Sequence, residues 1–436
     1  MNNNKIRILV LTYDAWVSSN VTGSTMDSIF KGIDNIEIAN IFLRSGNPDT
    51  NLVSKFYGIN ERQIINKILH KSNAGNEVSL LNNKQVPITN GCEPSKLKKF
   101  IYSHKLIIFY WAQELIWKSG LWKEAQLDHF IKEFNPDILW VPIFYNQFCN
   151  DIALYINQKF NVQMLSFISD DNYTLKQFNL SPFYWLNRFM IRPKIKKVIK
   201  RSKQLYVITD IEKQDMDMIF NIDSKILTKG DNFDDLPVFK ETFNYPLNLT
   251  FLGGLGNGRI NSLIDIAKAI EKINSNYESP RLTLNVYSNA IISDKSKEQL
   301  NIKGSSIFHG AALSLQIKSI FESADALIHV EPTDLKNRLK YRHSFSTKLV
   351  DCMKACRCII AYGGMTGSID YINRYNCGIV ATNSDELVTS LKKIVGKPSI
   401  LNEYAMKAYE IGRLNHSKDK INQMLSDDFI KFSKNS

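Results

Sequence analysis

Two short segments of the sequence combine residue types that could bind a phosphate anion. The first is FLGGLGNGR at 251–259, in which four glycines fall within six residues and Arg259 follows directly. Glycines let the backbone approach a ligand closely and point several N–H groups at an anion. The segment lacks the dinucleotide fingerprint G-x-G-x-x-G and the G-K-[ST] ending of a P-loop. A phosphate-binding loop and a plain turn between strand and helix therefore both remain open.

The second segment, YRHSFSTKLVDCMKACRCIIAYGG at 341–364, places anion-binding groups around a predicted helix start. Three hydroxyl side chains stand at or just before that start: Ser344, Ser346 and Thr347. Free backbone N–H groups and the helix dipole favour an anion there, and Lys348 in the first turn could reach the same anion. Asp351, farther along the helix, could accept hydrogen bonds from a ribose diol. The alternative is an ordinary N-capped helix with a surface lysine.

The residues at the end of the next strand argue against a nicotinamide cofactor. A dinucleotide-binding fold would close that strand with Asp or Glu, which holds the ribose. RLTLNVYSNA at 281–290 instead ends with Tyr287, Ser288 and Asn289. A dehydrogenase is therefore disfavoured.

Alternating strands and helices must position both segments. Apolar runs in the first half predict strands at 6–13, 36–43, 136–144, 162–169 and 204–209. The alternation stops over 224–246, where Pro, Asp and Asn accumulate. It restarts with strands predicted at 247–253, 281–288, 305–310, 324–331, 357–364 and 377–382. Such runs, separated by helical patterns, are typical of parallel sheets covered by helices.

This α/β pattern predicts two facing doubly wound Rossmann-like domains with a deep cleft between them. We assign residues 1–230 to the first domain, 231–246 to a linker and 247–400 to the second domain. Residues 401–436 are expected to form a helical tail that packs back on the first domain. A chain of 436 residues also exceeds the size of one ordinary core. Ligands of such sheets bind at the carboxyl ends of the strands, so the cleft is the expected site.

The start of the chain and its cysteines predict a cytoplasmic protein without a metal centre. MNNNKIRILVLTY does not resemble a signal peptide, and the apolar run at 106–117 is too short to span a bilayer. Six cysteines in a chain of this length indicate reduced thiols. Cys352, Cys356 and Cys358 cluster, but no histidine follows closely, so a zinc site is disfavoured.

The net charge of +12 calls for an acidic partner, and residues 188–203 concentrate that charge. RFMIRPKIKKVIKRSK carries eight basic residues, no acid and six interleaved apolar residues. One interpretation is a peripheral helix on an anionic membrane surface. The other is a helix whose apolar side faces the protein core. Nucleic acid is disfavoured as a partner, because the aromatic residues are scattered through predicted core strands and no nucleic-acid motif is present.

Taken together, the two anion-binding segments resemble the C-terminal domain of GT-B glycosyltransferases. The resemblance is strongest to the retaining, metal-independent nucleotide-sugar enzymes of the family 4 group, in particular those of bacterial capsular and cell-surface polysaccharide assembly. It is carried by residues 251–270, 306–331 and 343–364. SSNVTGSTMDSIF and LYVITDIEKQDMDMIF in the first half match more weakly.

The resemblance assigns roles to individual residues. It places three glycines beside the donor diphosphate: Gly253, Gly254 and Gly256. Arg259 and Lys348 would neutralise that diphosphate, and Asp351 takes the position of the second acid of the family's Glu-x7-Glu motif. His343 stands where the first glutamate is expected. Glu331, at the end of the strand IHVE, could substitute for it or serve as a structural acid.

The chemistry that the resemblance implies is transfer of a sugar from a nucleoside-diphosphate sugar, with uridine as the expected base. Fixed cations and helix N–H groups stabilise the departing diphosphate, so neither a metal nor a further cofactor is expected. A retaining transfer on the same face of the sugar needs no general base. An inverting enzyme would need one, and the first half offers Asp14, Asp170 and Asp171.

The first-half loops are expected to bind a glycan or lipid-linked acceptor. VTGSTMDSIF places Gly23, Ser24 and Thr25 near a helix start, where a close backbone approach would admit the acceptor; a plain capped helix is the alternative. Asp14, Asp170 and Asp171 could bind sugar hydroxyls. Two other readings stay open: a nucleotide-sugar epimerase of the same fold, and a basic nucleic-acid-binding protein. Docking at the inner face of the cell membrane is a separate expectation.

Overall fold

The computed structural model describes residues 5–70, 72–79 and 107–433, which form two halves of alternating strands and helices. Each half is built around one sheet with helices packed on its faces. The predicted α/β architecture, with two Rossmann-like parallel sheets, is confirmed.

Within the described ranges, the first half has an eight-stranded sheet in the order β4-β3-β2-β1-β5-β6-β7-β8. Its strands are β1 Ile6–Thr12, β2 Ile36–Phe42, β3 Lys55–Ile59, β4 Gly75–Val78, β5 Ile138–Pro142, β6 Gln163–Phe167, β7 Ser202–Val207 and β8 Lys225–Ile226. Its helices are α1 Val21–Phe30, α2 Glu61–His70, α3 Ile107–Lys118, α4 Ala125–Phe134, α5 Gln147–Phe160, α6 Pro182–Arg201 and α7 Asp210–Phe220. Strand β4 pairs antiparallel to β3, whereas the other neighbours are parallel.

The second half has a six-stranded parallel sheet in the order β11-β10-β9-β12-β13-β14. Its strands are β9 Leu247–Leu252, β10 Leu282–Tyr287, β11 Ser306–Gly310, β12 Ala326–Val330, β13 Cys358–Tyr362 and β14 Ile379–Ala381. Its helices are α8 Arg259–Asn274, α9 Asp294–Leu300, α10 Ile317–Ser323, α11 Leu335–Lys340, α12 Lys348–Lys354, α13 Gly367–Arg374 and α14 Ser384–Gly396. Two helices follow, α15 Ile400–Asn415 and α16 Lys418–Phe432.

Strand β1 shows why the predicted strands carry continuous apolar runs. Ile8 and Val10 point into the core on one face of the sheet, and Leu9 and Leu11 into the core on the other. All four side chains are fully buried. A strand covered on both faces has no solvent-facing positions, so its sequence cannot alternate between apolar and polar residues.

The C-terminal tail divides into two helices with different partners. Helix α15 packs against β13 and α12 of the second half, and its Ala408 joins their apolar cluster. Helix α16 crosses back to the first half, where Phe429 stacks on Phe30 with ring centroids 6.2 Å apart. Asp428 accepts a hydrogen bond from the Tyr206 hydroxyl at 2.8 Å. The tail expected at 401–436 is therefore shared between both halves, because α15 is needed to cover β13.

The basic stretch at 188–203 lies on α6 and the start of β7, and most of its apolar side faces the core. Ile191, Ile195 and Val198 are fully buried. Among its six apolar residues, only Phe189 and Met190 are exposed. The apolar side that could have faced lipid thus packs on the protein instead. In the described part of the chain, no helix has the length and apolar character that crossing a membrane requires.

Candidate functional site

A cavity of about 250 Å³ opens at the carboxyl end of the second sheet, between β9, β12 and the start of α12. Six of its lining residues are ones that the sequence predicted for donor binding: Gly253, Gly254, Arg259, Ser346, Thr347 and Lys348. The two anion-binding segments lie almost ninety residues apart in sequence. They meet here because the carboxyl ends of parallel strands share one edge of the sheet.

The glycines of the loop after β9 have different surroundings. A Cβ at Gly253 would lie 2.9 Å from the Phe251 ring and 3.2 Å from the Lys348 ammonium, so glycine at this position leaves space for the lysine side chain. At Gly254 and Gly256 a Cβ would meet no atom within 4 Å. Packing does not require glycine at these two positions, which leaves their exposed backbone free to approach a ligand. Gly256 stands outside the lining of the cavity.

Gly258 was not singled out from the sequence, yet it shapes the turn into α8. Its φ of 88° lies in the left-handed region that favours glycine. A Cβ there would also come within 2.8 Å of the Asp334 carboxylate. Arg259 follows the turn as the first residue of α8, and its side chain lines the cavity.

Lys348 is the first residue of α12, and its ammonium is one of two cations at the cavity. Its Nζ donates to the Leu252 carbonyl at 3.3 Å, and its side chain stays open to solvent. Reduced hydration between the cavity walls, together with the charge of Arg259, lowers the pKa of Lys348. An anion bound between the two cations would relieve this repulsion.

Glu331 is a buried counter-ion rather than a group exposed to a ligand. Its side chain is 0% exposed, and Oε2 lies 3.3 Å from Arg259 Nη2. Oε1 lies 3.1 Å from His329 Nε2. Burial alone would raise the pKa of Glu331, but His329 and Arg259 outweigh it and lower the pKa. Of its two predicted roles, the geometry fits the structural one, in which Glu331 holds Arg259 in place.

His343 does not face the cavity, contrary to its predicted place at the donor sugar. It is 1% exposed and points into the first half, where Nε2 lies 2.8 Å from Asp215 Oδ2 and Nδ1 lies 3.5 Å from Glu212 Oε1. Thr209 donates to the His343 carbonyl at 3.1 Å. The residue therefore joins the two halves, and Ser344 beside it also stands outside the cavity lining.

Removing the imidazole should make this junction less sensitive to pH. Burial and the charge of Arg342 would lower the pKa of His343. The hydrogen bond and charge of Glu212, with the charge of Asp171, outweigh both and raise the pKa above 6.5. The stabilisation that protonated His343 gives the folded state is therefore complete below pH 6.5, and it is lost as the pH rises through the folded-state pKa. We expect the stability difference between wild type and His343→Gln to shrink between pH 6 and pH 9 in urea unfolding. An unchanged difference would show that His343 does not titrate in this range.

Asp351 pairs with Lys229 and stands outside the lining of the cavity. Its carboxylate accepts from Lys229 Nζ, and it lines a separate groove of about 1050 Å³ beside the linker residues 231–238. Its side chain keeps 36% of its surface exposed. The predicted contact to a ribose remains open to it, but a ligand would have to share this acid with Lys229.

The predicted acceptor residues divide between two loops of the first half. Asp14 lies beside the start of α1, since its carboxylate accepts from Thr22 Oγ1 at 3.4 Å and from Arg44 Nη1 at 3.0 Å. Ser24 and Thr25 lie in the first turns of α1. The second loop follows β6 and carries Asp170 and Asp171.

Asp170 and Asp171 have different surroundings. Asp171 is buried and accepts from Arg188 at 2.8 Å; burial would raise its pKa, but Thr174, His343 and Arg188 lower it. Asp171 is therefore a structural acid. Asp170 retains an exposed surface. Reduced hydration beside the protein raises its pKa, and the positive charge of Lys340 in the second half only partly opposes this. Asp170 is thus an exposed acid near enough to the second half to be influenced by the charge of Lys340.

Gly23 is required by packing. It lies in the first turn of α1, where Asn20 caps the helix by accepting from its N–H at 2.7 Å. A Cβ at this position would overlap the backbone of Val17. We expect Gly23→Ala to lower the free energy of unfolding by about 1–3 kcal/mol, because backbone must shift to relieve the overlap. Urea unfolding beside the exposed control Ser24→Ala measures this, and equal stability of both variants would leave Gly23 free for a ligand role.

No group of three or more His, Cys, Asp or Glu side chains suited to a metal ion occurs among the described residues. The sequence Asp215-Met216-Asp217 on α7 places two acids close together, but Asp215 already pairs with Lys176, Arg342 and His343. The five cysteines in the described ranges are buried and free.

Comparison with known proteins identifies the architecture. No protein-family model and no curated protein matches this sequence. HepE of Anabaena, solved in complex with UDP, aligns with a TM-score of 0.59 and 12% identity over 98% of this chain and 100% of that chain. HepE has also been solved with UDP-glucose.

Two further solved structures show the same likeness. Sucrose-phosphate synthase from Thermosynechococcus elongatus aligns with a TM-score of 0.60 and 10% identity, covering 98% of this chain and 99% of that chain. A glycosyltransferase from Rickettsia africae aligns with a TM-score of 0.59 and 13% identity, covering 99% of this chain and 100% of that chain. At such identities the likeness concerns the fold. The chain therefore has the GT-B fold of these enzymes, with two Rossmann-like halves facing each other across a cleft.

Proposed function

We propose that this protein is a glycosyltransferase that takes its sugar from a nucleoside-diphosphate sugar, with uridine as the base. The observation that carries the proposal is the cavity at the carboxyl end of the second sheet. It combines Arg259, Lys348, an open glycine backbone and the start of α12. The UDP and UDP-glucose complexes of HepE, which shares the fold, support uridine.

The two cations would carry the chemistry of the leaving group. When the bond between the sugar and the diphosphate breaks, negative charge grows on the departing oxygen. Arg259 and Lys348 would stabilise that charge by charged hydrogen bonds, and Glu331 and the Leu252 carbonyl hold the two side chains in place. The protein itself would thus supply two positive charges at the diphosphate, and we propose that transfer proceeds without a metal ion.

The acceptor would approach from the first half of the cleft. Asp14 and the start of α1 would form one side of this approach, and the exposed Asp170 would form the other. We propose a glycan or lipid-linked acceptor, as in cell-surface polysaccharide assembly, and transfer with retention of configuration. Retention needs no general base, which suits a site whose second acid, Asp171, is neutralised by Arg188. The buried free thiols suit a cytoplasmic location.

Binding of UDP, GDP, ADP, CMP and NAD, measured by calorimetry in the presence of EDTA, tests the donor site. We expect saturable binding of one nucleoside diphosphate, UDP first, without a divalent metal. If none of them binds, the glycosyltransferase proposal fails. If binding appears only after magnesium is added, the metal-independent part fails.

Incubation with the matching nucleotide sugar separates a transferase from an epimerase of the same fold. A transferase leaves the sugar unchanged in the absence of an acceptor, apart from slow hydrolysis. Conversion to a stereoisomer, detected by NMR, would replace the proposal with an epimerase.

A further inference from the structure

An apolar patch lies exposed on the first half, on the chain between β6 and α6 and on the first turns of α6. It consists of seven large side chains within sixteen residues: Leu175, Phe178, Leu180, Phe183, Leu186, Phe189 and Met190. Leu180 is 85% exposed. Single exposed apolar residues are ordinary on protein surfaces, but exposed apolar side chains this dense along one segment indicate an interaction surface.

The patch continues onto a neighbouring helix. The rings of Phe183 and Trp111 meet edge to face with centroids 5.7 Å apart. Leu115, one turn after Trp111 on α3, is also largely exposed. Residues four apart on a helix share one face, so Leu115 extends the apolar surface beyond Phe183.

Helix α6 uses its two faces differently. Its inner face is buried in the core through Ile191, Ile195 and Val198. Its outer face begins with exposed apolar residues of the patch, Phe183 and Leu186 among them, at helical spacing. The patch is therefore not part of the core, and it is not the apolar side of 188–203 that packs inside.

The same outer face becomes basic along the helix. After Pro193 its exposed residues are Lys196, Lys197, Lys200 and Arg201, and Lys203 follows. Lys196, Lys197 and Lys200 form no ion pair with any residue in the described part of the chain. Arg188 and Lys194, by contrast, are neutralised by Asp171 and Asp151. The outer face of α6 thus joins an apolar surface to unpaired positive charge.

We propose that this outer face of α6, with the apolar patch, docks the protein on an anionic lipid bilayer. The apolar side chains would enter the boundary between headgroups and acyl chains, and the lysines would face anionic headgroups. Positive charge free of neighbouring acids fits a surface of one sign, whereas a protein partner would ordinarily present both signs. The overall charge of +12 adds to the attraction.

The position of the patch links docking to the cleft. Arg188 of α6 donates to the Thr174 carbonyl at 3.0 Å and to Asp171. These bonds tie the loop after β6, which carries Asp170 and Asp171, to the helix that carries much of the patch. Lys176 within that chain pairs with Asp215, which also binds Arg342 of the second half. A docked protein would therefore hold the acceptor side of its cleft near the lipid surface. If the proposed function is correct, the acceptor is lipid-linked.

Co-sedimentation with vesicles tests the docking surface. The vesicles contain phosphatidylcholine alone or with 30% phosphatidylglycerol, in 150 mM NaCl. We expect the wild type to bind only the anionic vesicles. Two variants, Leu180→Ser/Phe183→Ser and Lys196→Gln/Lys197→Gln/Lys200→Gln, should each bind at least roughly tenfold more weakly. The matched controls Met406→Ser and Lys392→Gln/Lys393→Gln lie on the second half and should bind as the wild type does.

Several results would overturn the proposal. These are absence of binding by the wild type, equal losses in the controls, or full binding by the Leu180→Ser/Phe183→Ser variant. Light scattering that shows a dimer broken by the same variant would assign the patch to a second copy of the chain. UDP affinity, measured on every variant, reports separately on the donor site. If the wild type does not bind UDP, the proposed function is refuted, but the docking result is unaffected.

Discussion

Lys348→Ala is expected to bind the nucleoside diphosphate roughly ten- to a hundredfold more weakly than the wild type and to turn over more slowly by a similar factor. A charged hydrogen bond contributes about 1.5–3 kcal/mol, and each 1.4 kcal/mol is a factor of ten. Lys348 is one of two cations at the cavity, and its ammonium is held at the end of β9 by the Leu252 carbonyl. The loss should therefore be specific to the diphosphate.

Calorimetry with UDP and with uridine distinguishes this effect from general damage to the site. Uridine lacks the phosphates, so the variant and the wild type should bind it equally. Lys392→Ala, an exposed lysine on α14 of the same half, is the control and should bind UDP normally. Equal UDP affinity of Lys348→Ala and wild type would show that the cavity does not hold the diphosphate.

Arg188→Met should destabilise the protein by about 3–5 kcal/mol, because it leaves a buried carboxylate without its counter-ion. Arg188 and Asp171 are both buried, and their side chains meet at 2.8 Å. Arg188 also donates from Nε and Nη2 to the Thr174 carbonyl. Methionine can fill much of the volume but cannot satisfy either acceptor.

Urea unfolding measures this loss, with Lys197→Met on the exposed side of the same helix as control. The control should change the free energy of unfolding by less than about 0.5 kcal/mol. Adding Asp171→Asn to Arg188→Met should restore part of the stability, since the unpaired charge is removed. If the single variant is as stable as its control, the buried pair does not form in solution.

The continuous apolar runs and the two anion-binding segments could be read from the sequence because their causes are local. A strand buried on both faces must be apolar throughout, as Ile8 and Leu9 on opposite faces of β1 show. Glycines before Arg259, and hydroxyls before Lys348, meet in one cavity because parallel strands end at a common edge. The short strands β3, β4 and β8 escaped prediction, since a few residues carry too little periodicity.

The two α/β halves and the two cations of the cavity, Arg259 and Lys348, could be predicted from the sequence. The directions in which particular side chains point depend on the folded chain. His343 turns toward Asp215 rather than the donor cavity, and Glu331 is enclosed as the partner of Arg259. Most of the apolar side of 188–203 packs on the core, while the patch over 175–190 stays exposed. The spacing of apolar residues shows that a helix has an apolar side. It does not show what covers that side, because the covering element comes from a distant part of the chain. The direction of a buried charge is set in the same way, by the counter-ion that the folded chain brings to it.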